Sequence, residues 1–147
     1  MSSNFCSRPI DWSKYGVVYA GAQKNLGPAG LCVTIVREDL IGSELPGTPT
    51  MCSWKTFSKA TGQHQNTPCT WAIYVAGLNI SHMLNFGLDK LEADAAKRSN
   101  TLYDYIENSG GYYSNPVDPA YRSRMNVPFR VNKGKIPNSI FYVLTFI

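Results

Sequence analysis

Gly16-Val17-Val18-Tyr19-Ala20-Gly21-Ala22 and Leu31-Cys32-Val33-Thr34-Ile35-Val36 are short apolar runs rich in β-branched residues. Uninterrupted runs of this kind predict strands buried on both faces. Between them lies Gln23-Lys24-Asn25-Leu26-Gly27-Pro28-Ala29-Gly30, where two glycines and a proline predict a loop of defined shape. Residues 42 to 66 hold scattered Gly, Pro, Ser and Thr without a sustained period and read as a long irregular connection.

Thr67-Pro68 then predicts a helix start, with Thr67 as the cap and Pro68 at the first helical position, where its missing N–H does no harm. This helix is expected to run through Trp71, Ala72, Tyr74, Val75 and Leu78 to about Asn85 and to end at Gly87. A second is expected over 88–109, because Leu88, Leu91, Ala95, Leu102 and Ile106 fall along one helical face. Asp89 and Glu92 sit in its first turn, where the helix dipole favours acids, and Gly110-Gly111 stops it. Gly111-Tyr112-Tyr113-Ser114 and the run from Met125 to Val131 each predict a strand, with Pro128 placing the second towards a sheet edge. That order of elements indicates an α/β or α+β fold, with the 88–109 helix long enough to bridge two subdomains.

A hydrophobic content of 44% against 16% charged residues excludes a disordered or charge-driven chain. A single domain of 147 residues buries about 70% of its unfolded surface. The net charge of +4 is uneven, because residues 119–147 carry five basic groups and no acid. Arg122, Arg124, Arg130, Lys133 and Lys135 form a diffuse group without the dense runs or aromatic platform of a nucleic-acid binder, and read as solvated surface. Met1-Ser2-Ser3-Asn4 lacks the basic and apolar regions of a secretion signal, so an intracellular, cytoplasmic chain is expected. The longest apolar run, Ile140 to Ile147, is far too short to span a bilayer. Cys6, Cys32, Cys52 and Cys69 are widely spaced, and His64 and His82 stand outside any ligand spacing. Free thiols are therefore expected, with neither a metal site nor a disulfide framework.

Lys24 is the first chemical candidate. It stands alone between two apolar strands, beside the small residues Gly21 and Ala22. A lysine becomes an amine nucleophile or Schiff-base former when desolvation or neighbouring charge lowers its pKa; the plainer alternative is a solvated turn lysine. Asn66-Thr67-Pro68 is the second candidate, since free backbone donors and the positive end of a helix dipole make an anion or phosphate site. Its plainer alternative is helix capping. No Lys-Ser or Lys-Thr follows a glycine at the phosphate-loop spacing, and no Gly-x-Ser-x-Gly elbow occurs.

Several segments together resemble the phosphoserine aminotransferases of the class-V aminotransferase family. They are Ser2-Ser3-Asn4-Phe5, Ser7-Arg8-Pro9-Ile10-Asp11, Tyr15 to Asn25, Gly27-Pro28-Ala29-Gly30, Val36 to Leu40, Asn66-Thr67-Pro68, Ala72-Ile73-Tyr74 and Arg122 to Arg130. The resemblance implies the α/β architecture of a fold-type I transferase dependent on pyridoxal 5'-phosphate. Residues 1–87 would form the C-terminal half of the large, cofactor-binding domain, 88–109 a connecting helix, and 110–131 the start of a small α/β domain. Residues 132–147 would be a tail without family resemblance.

It further implies transamination between L-glutamate and 3-phosphohydroxypyruvate, giving O-phospho-L-serine and 2-oxoglutarate in serine biosynthesis, by a homodimer without nucleic-acid or membrane partners. The lysine matching Lys24 would hold the cofactor covalently and move the proton at the substrate α-carbon. The residue matching Gln23 would lie at the cofactor, and the pair matching Asn66 and Thr67 would bind its phosphate across the dimer interface. The family's aspartate for the pyridine nitrogen aligns directly before Met1. The alternative is a truncated, catalytically inactive chain that acts only as an interaction or dimerisation piece.

Overall fold

The computed structural model describes residues 1–60, 62 and 64–131, together with the backbone of 141–145. It divides into two compact units. One contains residues 1–2 and 10–82, the other 3–9 and 83–147.

In the first unit, β1 (Val17–Gly21) and β2 (Cys32–Val36) pair antiparallel, from Val17 opposite Val36 to Gly21 opposite Cys32. Burial alternates along β1: Val18 and Ala20 are buried, while Tyr19 is 65% exposed. The expectation of strands covered on both faces is therefore corrected. Successive side chains point to opposite faces of a ribbon, and among the described residues only one face is covered. The connection over 42–66 also differs from expectation. It contains a single-turn 3-10 helix, Thr50–Cys52, followed by α1 (Trp54–Lys59).

Next comes α2 (Thr70–Phe86), whose buried residues are Ala72 and Ala76. Such small side chains let another backbone come close. The loop between β1 and β2 does so, with Gly27 placed where an added Cβ would stand 3.2 Å from Ala76 Cα and 3.3 Å from its Cβ. Gly87 ends α2 as expected, at a φ of +79° that only glycine adopts without strain.

In the second unit, α3 (Leu88–Glu107) buries Ala95, Ser99, Tyr103 and Ile106. Leu88, expected on this face, is 39% exposed, and Leu91 and Leu102 are half-buried. Ser99 and Tyr103 take the buried line because their polar tips are satisfied. The Ser99 hydroxyl donates to the Ala96 carbonyl at 3.1 Å, and the Tyr103 hydroxyl to the Ser123 carbonyl at 2.9 Å.

Tyr103 and Ile106 meet Val127 in a core flanked by Leu102, Tyr113 and Phe129. Val127 lies on β4 (Asn126–Val131), which pairs antiparallel with both β3 (Tyr113–Ser114) and β5 (Phe141–Thr145). Pro128 thus sits in the central strand rather than at an edge. The two-residue β3 pairs only with Val131 and Arg130, and beyond its end the Pro128 carbonyl accepts from the Asn115 side chain at 2.6 Å. The side of β4 that would miss a proline N–H therefore has no strand opposite it at that position.

The tail charges divide. Arg122 and Arg124 are half-buried, paired with Glu107 and Glu92 respectively, and Arg122 stacks 4.6 Å from the Tyr103 ring centroid. This corrects the solvated-surface reading for those two, whereas Arg130 is exposed. Lys133 and Lys135 lie outside the described residues. No helix among the described residues is long and apolar enough to cross a membrane.

Candidate functional site

Lys24 is half-buried in the turn that follows β1, and Gln23 beside it is exposed. The turn closes on itself by a bond from the Gly27 N–H to the Ala22 carbonyl at 2.7 Å. The Ala22 N–H, bonded to the Leu31 carbonyl at 2.9 Å, extends the β1–β2 ladder into the loop. Ala22 and Leu26 are fully buried. Gly21 leaves room for the Gln23 amide, which folds back into the space that a Cβ would fill.

From there the loop runs along α2, antiparallel to it. The Asn25 and Leu26 carbonyls accept from Asn79 Nδ2 at 3.0 and 2.9 Å, Gly27 packs on Ala76, and Gly30 lies against Cys69 and Ala72. Gly30 has φ +107°, which favours glycine, and an added Cβ would crowd Cys69 Sγ at 3.0 Å. The amine of Lys24 is thus carried on a turn anchored at one end by a strand ladder and at the other by a helix.

Asn66 and Thr67 are both exposed, in the segment leading into α2. The helix begins later than expected. Its first bond runs from the Ile73 N–H to the Cys69 carbonyl at 3.1 Å, so Cys69 occupies the cap position and Thr70 is the first helical residue. Pro68 precedes the cap rather than following it. The seating of Cys69 against Gly30 decides the start over the local Thr-Pro signal. The amides of Thr70, Trp71 and Ala72 precede the helical ladder, and they are the donors that a helix-start anion site would use. The approach to Asn66 is itself tethered. Gln65 Nε2 donates to the Thr56 carbonyl at 2.6 Å, one of the last-turn carbonyls that α1 leaves without a partner of its own.

Gln23 and Lys24 share the turn after β1, and Asn66 and Thr67 share the segment that leads into α2. The Lys24 turn is held at Asn79, whereas Asn66 and Thr67 come before Cys69. At 1.5 Å of rise per residue, Cys69 and Asn79 are roughly 15 Å apart along the helix axis. Asn79, whose two bonds hold the turn, was not singled out by the sequence reasoning. Its signal is an amide flanked by Leu78 and Ile80 in the middle of α2.

The second unit has a cleft of about 550 Å³ lined by Arg8, Asn100, Tyr103, Asp104, Arg122 and Arg124 among others. Two of its three guanidiniums are already neutralised by Glu107 and Glu92, and Asp104 faces the same space. Gln23, Lys24, Asn66, Thr67 and Asn79 are not among its lining residues. The described residues hold no cluster of metal-ligating side chains, and all four cysteines are free.

Residues 1–139 match the family model described as aminotransferase class-V. The chain belongs to the class-V aminotransferase family. It is 51% identical over 132 residues to the phosphoserine aminotransferase of Laribacter hongkongensis, covering 89% of this chain and 36% of that protein. It is 52% identical to the Drosophila melanogaster phosphoserine aminotransferase, again over 89% of this chain and 36% of the relative. Among solved structures, the phosphoserine aminotransferase of Bacillus circulans subsp. alkalophilus superposes with a TM-score of 0.81 at 42% identity, covering 89% of this chain and 36% of that one. The pyridoxal-phosphate-bound enzyme of Trichomonas vaginalis gives a TM-score of 0.83 at 36% identity, covering 94% and 39%.

The chain therefore spans little more than a third of the length of these class-V relatives. Its α/β fold is that of the corresponding part of a fold-type I aminotransferase. The family match extends past residue 131, the expected end of the sequence resemblance, to residue 139, and residues 141–145 form β5 on the second sheet.

Proposed function

We propose that this chain is part of a phosphoserine aminotransferase, transferring an amino group between L-glutamate and 3-phosphohydroxypyruvate in serine biosynthesis. The observation that carries this reading is a half-buried lysine on a doubly anchored turn, within a chain of the class-V aminotransferase family. We read the first unit as belonging to the large, cofactor-binding domain, and the second as leading into the small one.

The donor set fits pyridoxal 5'-phosphate. Lys24 supplies a primary amine for the aldehyde, and Gln23, Asn66 and Thr67 supply exposed amide and hydroxyl groups. Bound there, the cofactor would supply an electron sink for cleavage of the substrate Cα–H bond. Lys24 Nζ would hold the cofactor and would serve as the base and acid that moves the proton at the substrate Cα. Gln23 orients the cofactor from the neighbouring position. Asn66 and Thr67 bind phosphate oxygens, joined by the amides that open α2. The resemblance to the family implies a phosphate site shared across a dimer interface, and we assign the Asn66 and Thr67 of one chain to the Lys24 of a second, in a homodimer. The cytoplasm is the compartment we expect, with subcellular fractionation as its measurement.

The test is chemical. Substoichiometric pyridoxal phosphate, followed by borohydride and peptide mapping, should label Lys24 ahead of the other seven lysines, and the label should vanish in Lys24→Ala. Even labelling across the lysines would overturn the reading.

A second reading, of an interaction piece without catalysis, is favoured by one feature. Trp71, Tyr74 and Leu78, at helical spacing on α2, are 66%, 61% and 54% exposed. Selective Lys24 labelling without transamination of glutamate and phosphohydroxypyruvate would leave the chain as that piece.

A further inference from the structure

We infer that Asn79 is a positioning residue for the Lys24 amine, an inference that rests on the reading of Lys24 as the reacting lysine. A primary amide nitrogen carries two hydrogens, and Asn79 Nδ2 spends both on consecutive backbone carbonyls, those of Asn25 at 3.0 Å and Leu26 at 2.9 Å. These are the two residues that follow Lys24. A carbonyl pair turned towards a helix has no backbone donor to meet there, because the N–H groups inside α2 are committed to its own ladder. The side chain of Asn79 replaces that missing donor twice over.

The rest of the turn shows why this matters to Lys24 in particular. Ahead of the lysine, Ala22 is locked into the strand ladder. Behind it, Leu26 is fully buried, and Gly27 lies against Ala76 and returns its N–H to Ala22. Lys24 is thus suspended between two fixed points, the ladder at Ala22 and the Asn79 amide at residues 25–26. Loss of the second point loosens the turn, which then keeps on that side only the burial of Leu26, the packing of Gly27 on Ala76 and the Gly27 bond to Ala22. The amine would then sample positions away from the one that a cofactor aldehyde must meet. Preorganisation of this kind separates a reactive lysine from one that is merely near.

The exchange Asn79→Asp is nearly isosteric and turns both donors into acceptors facing carbonyls. Asn79→Leu removes the donors without adding charge. Leu78→Ala is the control, since Leu78 is on the same helix and 54% exposed. Two readouts need no cofactor: hydrogen exchange at the Gly27 amide, and competitive acetylation of Lys24 against Lys55, both at a denaturant concentration where every variant is folded. Asn79→Asp and Asn79→Leu should each speed Gly27 exchange by about tenfold or more and raise Lys24 acetylation towards the Lys55 rate, with Leu78→Ala at the wild-type value.

A third readout, the pyridoxal phosphate concentration giving half-maximal borohydride-fixed label on Lys24, should rise severalfold in both Asn79 variants. Global unfolding measured in urea separates a positioning role from a structural one. If exchange and acetylation change only in proportion to global stability, or not at all, Asn79 holds no special relation to Lys24 and the inference is wrong. If they change as expected while wild-type Lys24 takes no selective label, the clamp stands and the cofactor reading fails.

Discussion

The close approach of Gly27 to α2 makes a sharp prediction about Gly27→Ala. Gly27 is not among the glycines with positive φ, so its backbone conformation tolerates alanine. The obstacle is space. The new methyl would stand 3.2, 3.3 and 3.4 Å from the Cα, Cβ and N of Ala76, inside the ~3.5–4.0 Å at which carbon atoms attract best. Ala76 is 2% exposed and lies in the helix backbone, so it does not rotate away as a long side chain would. The turn must retreat instead, which stretches the Asn79 bonds at 2.9 and 3.0 Å and the Gly27–Ala22 bond at 2.7 Å.

Overpacking against an unyielding wall costs about 1–3 kcal/mol. Gly77→Ala is the matched contrast, because nothing lies within 4 Å of its Cβ position. There the gain in helix propensity should stabilise by about 0.5–1 kcal/mol. Urea unfolding followed by tryptophan fluorescence measures both, and the two midpoints should move in opposite directions. A Gly27→Ala chain as stable as wild type would show that the loop–helix contact is slack, and would remove one support of the anchored turn.

Three further outcomes follow from single contacts. Tyr103→Phe removes a hydroxyl from a 4% exposed ring and strands the Ser123 carbonyl, so it should destabilise by about 1 kcal/mol; an unchanged urea midpoint would count against that bond. Burial pushes the Cys6 thiol pKa up, leaving less thiolate at any given pH. Iodoacetamide near pH 8 should therefore modify the exposed Cys32, Cys52 and Cys69 before Cys6, and equal rates at all four would contradict it. The Ser13 hydroxyl, and then Lys14, hold the Asp11 carboxyl below the usual carboxylate range. Its contribution is present above the ordinary carboxylate pKa and is lost as pH falls through the lowered one. Ser13→Ala should move the Asp11 carboxyl resonance back towards the ordinary titration range.

The elements legible in the sequence are those with a local cause. α3 is set by its periodicity and by the glycines after it, and the β1–β2 runs by their β-branched residues. Tertiary contacts decide the rest. The start of α2 shifts from Thr67-Pro68 to Cys69 because Cys69 seats against Gly30. Ser99 and Tyr103 join the α3 core because distant or local carbonyls satisfy them, which a count of apolar residues does not register. Pro128 sits centrally because β3 ends before reaching it. At the site, Lys24 stands out as a lone cation among apolar strands, whereas Asn79 lies more than fifty residues away along the chain and acquires its meaning only when the loop lies along α2.

The assignment of the Asn66-Thr67 pair of one chain to the Lys24 of a second has a consequence that mixing tests. If the phosphate donors of one chain serve the lysine of another, neither a Lys24→Ala chain nor an Asn66→Ala/Thr67→Ala chain alone forms a complete site. A dimer containing one of each holds one intact site, made from the unaltered lysine of one chain and the unaltered Asn-Thr pair of the other. Equal, randomly exchanging mixtures would contain half such dimers, so about a quarter of wild-type sites should return in a two-fold symmetric pair. The readout is borohydride-fixed label on Lys24, at a pyridoxal phosphate concentration too low to label either variant alone. Donors acting within their own chain would restore nothing on mixing. That result would overturn the cross-chain assignment and leave the Asn66-Thr67 segment, tied to α1 by the Gln65 bond, to serve the Lys24 of its own chain.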